Sequence, residues 1–216
     1  MVPAAEALQR LKTGNQRFAA NVRDTSTLVK QAHRADLAES QTPFAIILGC
    51  SDSRVPAEIV FDQGLGDLFV VRVAGNIVAP SLLGSVEFAA AQFNVRLVVV
   101  LGHTKCGAIQ ATVEALQQPS GKSSPNLQSI VNRIRPSVET LLETDIADDQ
   151  DKLLKHAIRA NVRTSVSHLR QGSELLEGLI ANDELRIVGA EYSLETGLVE
   201  FFESDLAGMG EAGIEH

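Results

Sequence analysis

The chain has 216 residues, of which 44% are hydrophobic and 21% are charged, so it can form one globular domain with a sizeable core. Its formal net charge of −8 argues against nucleic acid or an anionic membrane surface as the main partner, because either would require a clustered basic face. No apolar stretch approaches the roughly 20 residues that span a bilayer, and no signal peptide is visible at the start. We therefore expect a cytoplasmic protein, although a chain trimmed of its leader would read the same.

The N-terminal region, residues 1–40, is predicted to be a helical arm. Apolar residues recur at helical spacing over Ala4–Val22, which indicates an amphipathic helix. A second helix, with weaker periodicity, is predicted over Thr25–Ala38. Neither segment is closely followed by a strand, so we expect the arm to pack over the core or over a partner subunit.

Four apolar runs predict the strands of a central sheet: Phe44–Gly49, Leu68–Val71, Leu97–Leu101 and Leu185–Ala190. They are continuous rather than alternating, which is typical of parallel strands that helices cover on both faces. Helical patterns lie between them, briefly at Ala57–Phe61 and more strongly at Ser81–Phe93. This alternation favours an α/β fold with a mainly parallel central β-sheet flanked by helices and preceded by the helical arm.

The second half of the chain is predicted to be mostly helical before its last strands. The helical pattern of Ala108–Ile180 is broken at Pro119–Pro125, and Tyr192–Phe202 predicts an edge strand or hairpin. Three glycines in the last stretch indicate a frayed end. We therefore assign a single domain to residues 1–203 and a flexible tail to residues 204–216.

Two short strings contain the only two cysteines of the chain. Cys50-Ser-Asp52-Ser-Arg54 follows the first predicted strand, and His103-Thr-Lys-Cys106-Gly follows the third. Ligands of open parallel sheets bind outside the carboxyl ends of neighbouring strands, so we expect the two strings to meet there. Two thiols and an imidazole are three of the four ligands of a tetrahedral zinc site, and three protein ligands leave one position for water or substrate. The sequence therefore predicts a zinc centre with a carboxylate and a guanidinium beside the open position.

Other interpretations of the two strings stay open at this stage. The cysteines could form a disulfide, although a reducing cytosol would not keep it. His103 and Cys106 could also be ordinary buried residues at a strand end. In a Cys–His hydrolase, Cys50 would be the nucleophile and His103 the base, but Cys106 and Arg54 would then have no role. The zinc interpretation uses all of these residues, and we favour it.

The two strings together resemble the paired motifs of the β-class carbonic anhydrases. The similarity continues through Phe61–Arg72 and Ala74–Asn76 and covers residues 4–202. The resemblance implies a Zn²⁺ enzyme that reversibly hydrates carbon dioxide to bicarbonate and a proton by means of a zinc-bound hydroxide. It also implies a homodimer or a dimer of dimers.

The resemblance further implies roles for individual residues. Cys50, His103 and Cys106 match the zinc ligands of the family. Asp52 and Arg54 match its catalytic carboxylate–guanidinium pair, with Asp52 as a fourth ligand in a closed state. Five positions match residues of the substrate pocket: Gln41, Phe69, Ala74, Phe88 and Gly107. The family's plant-like branch has a tyrosine where this chain has Phe88, and there the glutamine that matches Gln41 comes from the neighbouring subunit.

Two other functions stay open beside carbon dioxide hydration. Relatives of this fold are thought to hydrolyse carbonyl sulfide or carbon disulfide with a similar zinc site. An inactive homologue would keep a closed Cys₂HisAsp site for purely structural reasons, and the intact Asp52–Arg54 pair argues against that interpretation.

The resemblance also bears on regulation by bicarbonate. One bacterial branch binds bicarbonate at a second, non-catalytic pocket through a tryptophan, an arginine and a tyrosine. Arg72 and Tyr192 match the latter two residues, whereas Ile47 stands at the tryptophan position. We therefore do not expect this pocket to function here.

Overall fold

A computed structural model of the chain describes residues 1–22, 24, 34–118 and 124–202. The predicted alternation of strands and helices runs through this part of the chain. Its α-helices are α1 Ala4–Ala19, α2 Arg34–Glu39, α3 Ala57–Val60, α4 Pro80–Gln92, α5 Gly107–Gln117, α6 Pro125–Ile134, α7 Pro136–Leu142, α8 Gln150–Gln171 and α9 Glu174–Ala181. Its strands are β1 Ala45–Gly49, β2 Leu68–Arg72, β3 Leu97–His103, β4 Arg186–Tyr192 and β5 Val199–Phe201. Two 3₁₀ turns lie at Ala74–Asn76 and Asp145–Asp148.

The five strands form one sheet in the order β2-β1-β3-β4-β5. The first four are parallel, and β5 returns antiparallel to β4, so the prediction of a mainly parallel sheet with a terminal hairpin is confirmed. Gly49 lies opposite both Arg72 and Leu101, and His103 lies opposite Tyr192. This register brings the carboxyl ends of β1 and β3 to the same edge of the sheet.

Helices cover both faces of the sheet, which explains the continuous apolar runs. Every residue of β1 and β3 is buried. Successive side chains point to opposite faces, so Val99 and Leu101 pack on the side of α1, whereas Val98 and Val100 pack on the side of α4 and α8. A strand with two covered faces has no position for polar residues until it ends, and the candidate metal-ligating side chains begin at that point.

Helix α1 confirms the first part of the predicted N-terminal arm and packs on the core of its own chain. Ala7, Leu8 and Leu11 are buried against the sheet. Gly14 allows a close approach to α3, because a Cβ there would lie 1.8 Å from the carbonyl oxygen of Phe61. The second predicted helix, Thr25–Ala38, lies largely outside the described residues, and its end overlaps α2.

The helical second half is confirmed, with more breaks than the apolar periodicity predicts. Most of the predicted break at Pro119–Pro125 lies outside the described residues, but Ser124 begins α6 by accepting a hydrogen bond from the backbone of Leu127 at 3.2 Å. Pro136 begins α7 without an apolar interruption, because proline is tolerated in a first helical turn. Ser173 begins α9 by accepting from Leu176.

The remaining predictions about the chain's ends concern residues that the structure does not describe. The predicted tail, residues 204–216, lies outside the described ranges, and the domain boundary at residue 203 stays a prediction. Among the described helices, none has the length and apolar character that a bilayer crossing requires.

Candidate metal centre

The three candidate metal ligands lie at the carboxyl edge of two neighbouring strands. Cys50 directly follows β1, and His103 is the last residue of β3. Cys106 directly precedes α5, so only a two-residue turn separates it from His103. The sequence-predicted convergence of the two strings is present in the fold.

The ligand atoms of Cys50, His103 and Cys106 all lie within 4.8 Å of one another, and all three residues are buried. The two sulfurs are 4.0 Å apart, about twice the length of a disulfide bond, and both thiols are free. The backbone N–H of Gly75 donates to the Cys50 sulfur at 3.4 Å. Within the described ranges this is the one group of three such side chains whose ligand atoms could share an ion.

The imidazole of His103 is oriented toward the two sulfurs by its own turn. Nδ1 donates to the carbonyl oxygen of Thr104 at 2.9 Å, which leaves Nε2 as the atom with a free lone pair. Nε2 is fully buried and has no hydrogen-bond partner among the described residues. A buried polar atom without a partner costs about 1–3 kcal/mol, so a group that accepts this lone pair would stabilise the site.

Two sulfurs this close do not both ionise without a compensating charge. The contact with Cys106 lowers the pKa of Cys50, and the same contact raises the pKa of Cys106. Charge on one sulfur opposes charge on the other. A divalent cation would stabilise both thiolates, and Nε2 of His103 would supply a third ligand atom. These residues therefore fit zinc, which prefers thiolate and imidazole ligands.

The predicted carboxylate–guanidinium pair is formed beside the cluster. Arg54 Nε donates to Asp52 Oδ1 at 2.9 Å, and Arg54 Nη2 donates to Asp52 Oδ2 at 2.7 Å. This two-pronged contact holds the pKa of the Asp52 carboxyl well below its usual range. Asp52 Oδ2 lies 3.9 Å from Nε2 of His103. An ionised carboxylate therefore stands next to the proposed ligands.

Arg72 has a role at this centre that the sequence did not predict. Its Nε donates to the carbonyl oxygen of Cys50 at 2.9 Å, and its Nη2 donates to that of Asp52 at 2.7 Å. The side chain therefore fixes the backbone that connects a candidate ligand to the carboxylate. Only the parallel pairing of Gly49 with Arg72 brings the guanidinium there, so no local pattern could have indicated it.

The five predicted pocket residues fall into two groups. Gly107 directly follows Cys106, and Ala74 directly precedes Gly75, whose backbone N–H donates to the Cys50 sulfur. Phe69 and Phe88 pack against each other with ring centroids 6.2 Å apart, and each also contacts Phe93. Gln41 lines a groove of about 760 Å³ that Phe93 also lines. Phe69, Phe88 and Gln41 thus lie around Phe93.

Comparison with known proteins identifies similar sequences over nearly the whole chain. The family model described as carbonic anhydrase matches residues 45–199, which include Cys50, His103 and Cys106. Carbonic anhydrase 2 of Mycobacterium tuberculosis is 41% identical over 194 residues, which cover 88% of this chain and 89% of that protein. A carbonic anhydrase of Mycolicibacterium smegmatis is 39% identical over 208 residues, covering 95% of this chain and 96% of that protein.

Solved structures share the fold. The β-carbonic anhydrase CcaA superposes with a TM-score of 0.73 at 24% identity, over 92% of this chain and 96% of that chain. A β-carbonic anhydrase of Sordaria macrospora, described as tetrameric, has a TM-score of 0.72 at 22% identity, over 82% of this chain and 89% of that chain. At these identities the likeness concerns the fold alone.

Proposed function

This chain belongs to the β-class carbonic anhydrases, whose reaction is the reversible hydration of carbon dioxide, and we propose that Cys50, His103 and Cys106 hold the zinc ion for that reaction here. The observation that carries the proposal is the buried Nε2 of His103. It has no partner among the described residues and faces two free thiols. When bound, zinc would make a water acidic enough to ionise near neutral pH.

Asp52 orients the reacting water in this proposal. Its carboxylate is ionised and 17% exposed, so it can accept a hydrogen bond from water that enters the site. Such acceptance fixes the direction in which the oxygen lone pair points. The backbone of Asp52 is held in turn by Arg72, which limits drift of the carboxylate.

Arg54 keeps the Asp52 carboxylate away from the metal ligands. Both carboxylate oxygens accept from its guanidinium, and the arginine backbone N–H donates to Oδ1 at 3.0 Å. Asp52 Oδ2 is nevertheless only 3.9 Å from His103 Nε2. A small rotation without Arg54 would let the carboxylate join the three ligands, which is the closed state that we propose.

Carbon dioxide is small and nonpolar, so its pocket is expected to be mostly apolar. Ala74 and Gly107 line it next to the metal cluster in our proposal. Phe69, Phe88 and Gln41 line it from the other side of a subunit boundary. The 52% exposure of Phe88 supports this arrangement, because a large apolar side chain that contributes to a pocket needs a second surface to cover it.

We also propose a homodimer or a dimer of dimers as the assembly of this chain. Within the part of the chain that the structure describes, β2 is an edge strand that pairs only with β1. Exposed strand edges are normally covered or paired in native proteins, and a second copy would cover both this edge and Phe88. The tetrameric assembly described for the Sordaria macrospora proteins agrees with this proposal.

Metal analysis combined with stopped-flow hydration tests the proposed function. The purified wild type should contain one zinc per chain and hydrate carbon dioxide. Cys106→Ser and His103→Ala should lose both properties, since each removes one of three ligands. His156→Ala is the matched control. This histidine is exposed on α8, so the variant should keep zinc and activity. Wild-type protein without zinc, or an active zinc-loaded Cys106→Ser variant, would contradict the proposal.

A further inference from the structure

The two residues between His103 and Cys106 are both held by one side chain from the β4–β5 turn, Glu195. The Thr104 hydroxyl donates to Glu195 Oε2 at 2.8 Å, and Lys105 Nζ lies 2.7 Å from Glu195 Oε1. Each carboxylate oxygen therefore holds one residue of the turn that separates two candidate metal ligands. Glu195 is remote from both ligands in sequence and has no role in the function proposed above.

The turn that Glu195 holds has a backbone conformation that requires support. Lys105 has φ 55°, in the left-handed region that side chains other than glycine seldom adopt. The backbone N–H of Thr104 donates to the carbonyl oxygen of Tyr192 at 2.9 Å, and the N–H of Leu194 donates to the Thr104 hydroxyl at 3.0 Å. The metal-ligand turn is thus fastened to the hairpin by backbone and side-chain contacts.

The hairpin that carries Glu195 is itself anchored to α1. Asn15 is buried, and its side-chain amide donates to the carbonyl oxygen of Gly197 at 2.9 Å. The side-chain carbonyl oxygen of Asn15 accepts from the backbone N–H of Val199 at 2.8 Å.

Lys105 and Thr104 lower the pKa of Glu195 to about 2, so the carboxylate is ionised at neutral pH. An anchored anion therefore faces the turn.

We propose that Glu195 is a positioning residue for the metal centre, because it fixes Thr104 and Lys105 so that His103 and Cys106 keep the spacing that one ion needs. The contact reaches His103 through Thr104, since Nδ1 of the imidazole donates to the carbonyl oxygen of Thr104. It also reaches the catalytic pair, since Arg54 Nη2 lies 3.4 Å from the carbonyl oxygen of Lys105. This inference rests on the proposed zinc site.

The two contacts of Glu195, with Thr104 and with Lys105, do not contribute equally to holding the turn between His103 and Cys106. The side chains of Lys105 and Glu195 are 67% and 45% exposed, so solvent and salt screen their ion pair, and such pairs contribute about 0–1 kcal/mol. The Thr104 contact acts on the residue whose carbonyl orients the imidazole. Partners that orient a metal-ligating histidine change metal affinity by about 10- to 100-fold when they are removed. The Thr104 contact is therefore the dominant one.

Transfer of zinc from the loaded enzyme to a chromophoric chelator measures this role without reference to activity. Glu195→Ala should release zinc about 10- to 100-fold faster than the wild type. Glu195→Gln, which keeps an acceptor for Thr104, should show a smaller increase. The zinc-release rate of Lys105→Met should stay within about fivefold of the wild-type rate, because this substitution removes only the exposed ion pair. The matched control is Glu200→Ala, which removes a carboxylate of the same hairpin that binds Arg159 rather than the turn.

Two results separate a positioning role from a general structural one. Cobalt-substituted Glu195→Ala should show displaced thiolate-to-metal charge-transfer bands, whereas cobalt-substituted Glu200→Ala should match the wild type. Equal zinc release by Glu195→Ala and Glu200→Ala would overturn the inference, and so would faster release accompanied by unchanged cobalt bands. If Glu195→Ala does not fold, the two single variants Glu195→Gln and Thr104→Val take its place. Wild-type zinc-release rates and wild-type cobalt bands in both of them would overturn the inference. Wild-type protein without zinc would instead overturn the proposed function on which it rests.

Discussion

At the scale of single residues, the short distance between Asp52 and His103 raises the question of what keeps the carboxylate from binding the metal itself. A carboxylate 3.9 Å from the nitrogen that we propose as a zinc ligand would be close enough to compete for the metal, yet the guanidinium of Arg54 holds both of its oxygens. The pair is partly exposed, so it contributes little to the free energy of folding. Its two-pronged geometry therefore serves the placement of the carboxylate more than the stability of the chain.

Arg54→Ala is expected to keep zinc and lose hydration activity. Without the guanidinium, Asp52 is free to occupy the position that water needs. The hydration rate should fall by at least about 10²-fold, because a blocked metal position costs no less than the loss of an acid–base partner. The hydration rate of Arg54→Lys should lie between those of the wild type and Arg54→Ala, because an ammonium is a point charge without the planar fork of a guanidinium. Stopped-flow hydration and metal analysis on the same samples measure both effects.

The control for this experiment is Arg135→Ala. Arg135 forms an exposed pair with Glu139 one helical turn away, so its removal should change neither zinc content nor rate. An Arg54→Ala variant as fast as the wild type would show that Arg54 does not govern access to the metal. Loss of zinc in Arg54→Ala would show that it supports the ligands instead.

At the scale of the elements, the sequence predicts those features that depend on local burial and spacing. The apolar runs of β1 and β3 locate both strands and place Cys50 and His103 at their carboxyl ends. The roles of Arg72 and Glu195 could not be predicted, because they depend on which strands pair and on where a distant hairpin folds back. The break before Pro136 was missed for another reason, since a proline in a first helical turn leaves the apolar periodicity intact.

Glycine-to-alanine substitutions in two helices should have opposite effects on stability. In α1, Gly14→Ala would push a methyl group to 1.8 Å from the carbonyl oxygen of Phe61. The backbone must shift, and overpacking of this kind costs about 1–3 kcal/mol. In α9, no atom of the described residues lies within 4 Å of a Cβ added at Gly178. Gly178→Ala should therefore stabilise the protein by about 0.4–1 kcal/mol.

Denaturant unfolding of the two variants beside the wild type measures this difference. The comparison controls for the substitution itself, because both variants exchange glycine for alanine inside a helix. A Gly14→Ala variant as stable as the wild type would mean that α1 does not pack against the end of α3 as described. The anchoring of the β4–β5 hairpin through the neighbouring Asn15 would then lose its support.

At the scale of the whole molecule, the described strands form a sheet that is open at both ends, and the β2 end lies beside exposed apolar residues. Among the described strands, β2 pairs only with β1, and the apolar side chains of Leu65 and Phe88 are 47% and 52% exposed. Leu65 also lines the groove that contains Gln41. An edge strand, exposed apolar residues and a predicted pocket residue therefore share one surface, which is the surface that we expect a second copy to cover.

Leu65→Glu is expected to dissociate the assembly, because a buried, unpaired carboxylate at a subunit boundary is strongly unfavourable. Sedimentation of the wild type should give a multiple of the chain mass of 23.1 kDa, whereas Leu65→Glu should shift the distribution toward that mass. Zinc content should not change, since all three candidate ligands come from one chain. Leu175→Glu is the control, because Leu175 has a similar exposure of 42% but lies on α9, and it should sediment as the wild type does. A wild type that sediments as an active monomer would contradict the proposed assembly, and a Leu65→Glu variant that stays fully assembled would exclude this surface as the subunit boundary.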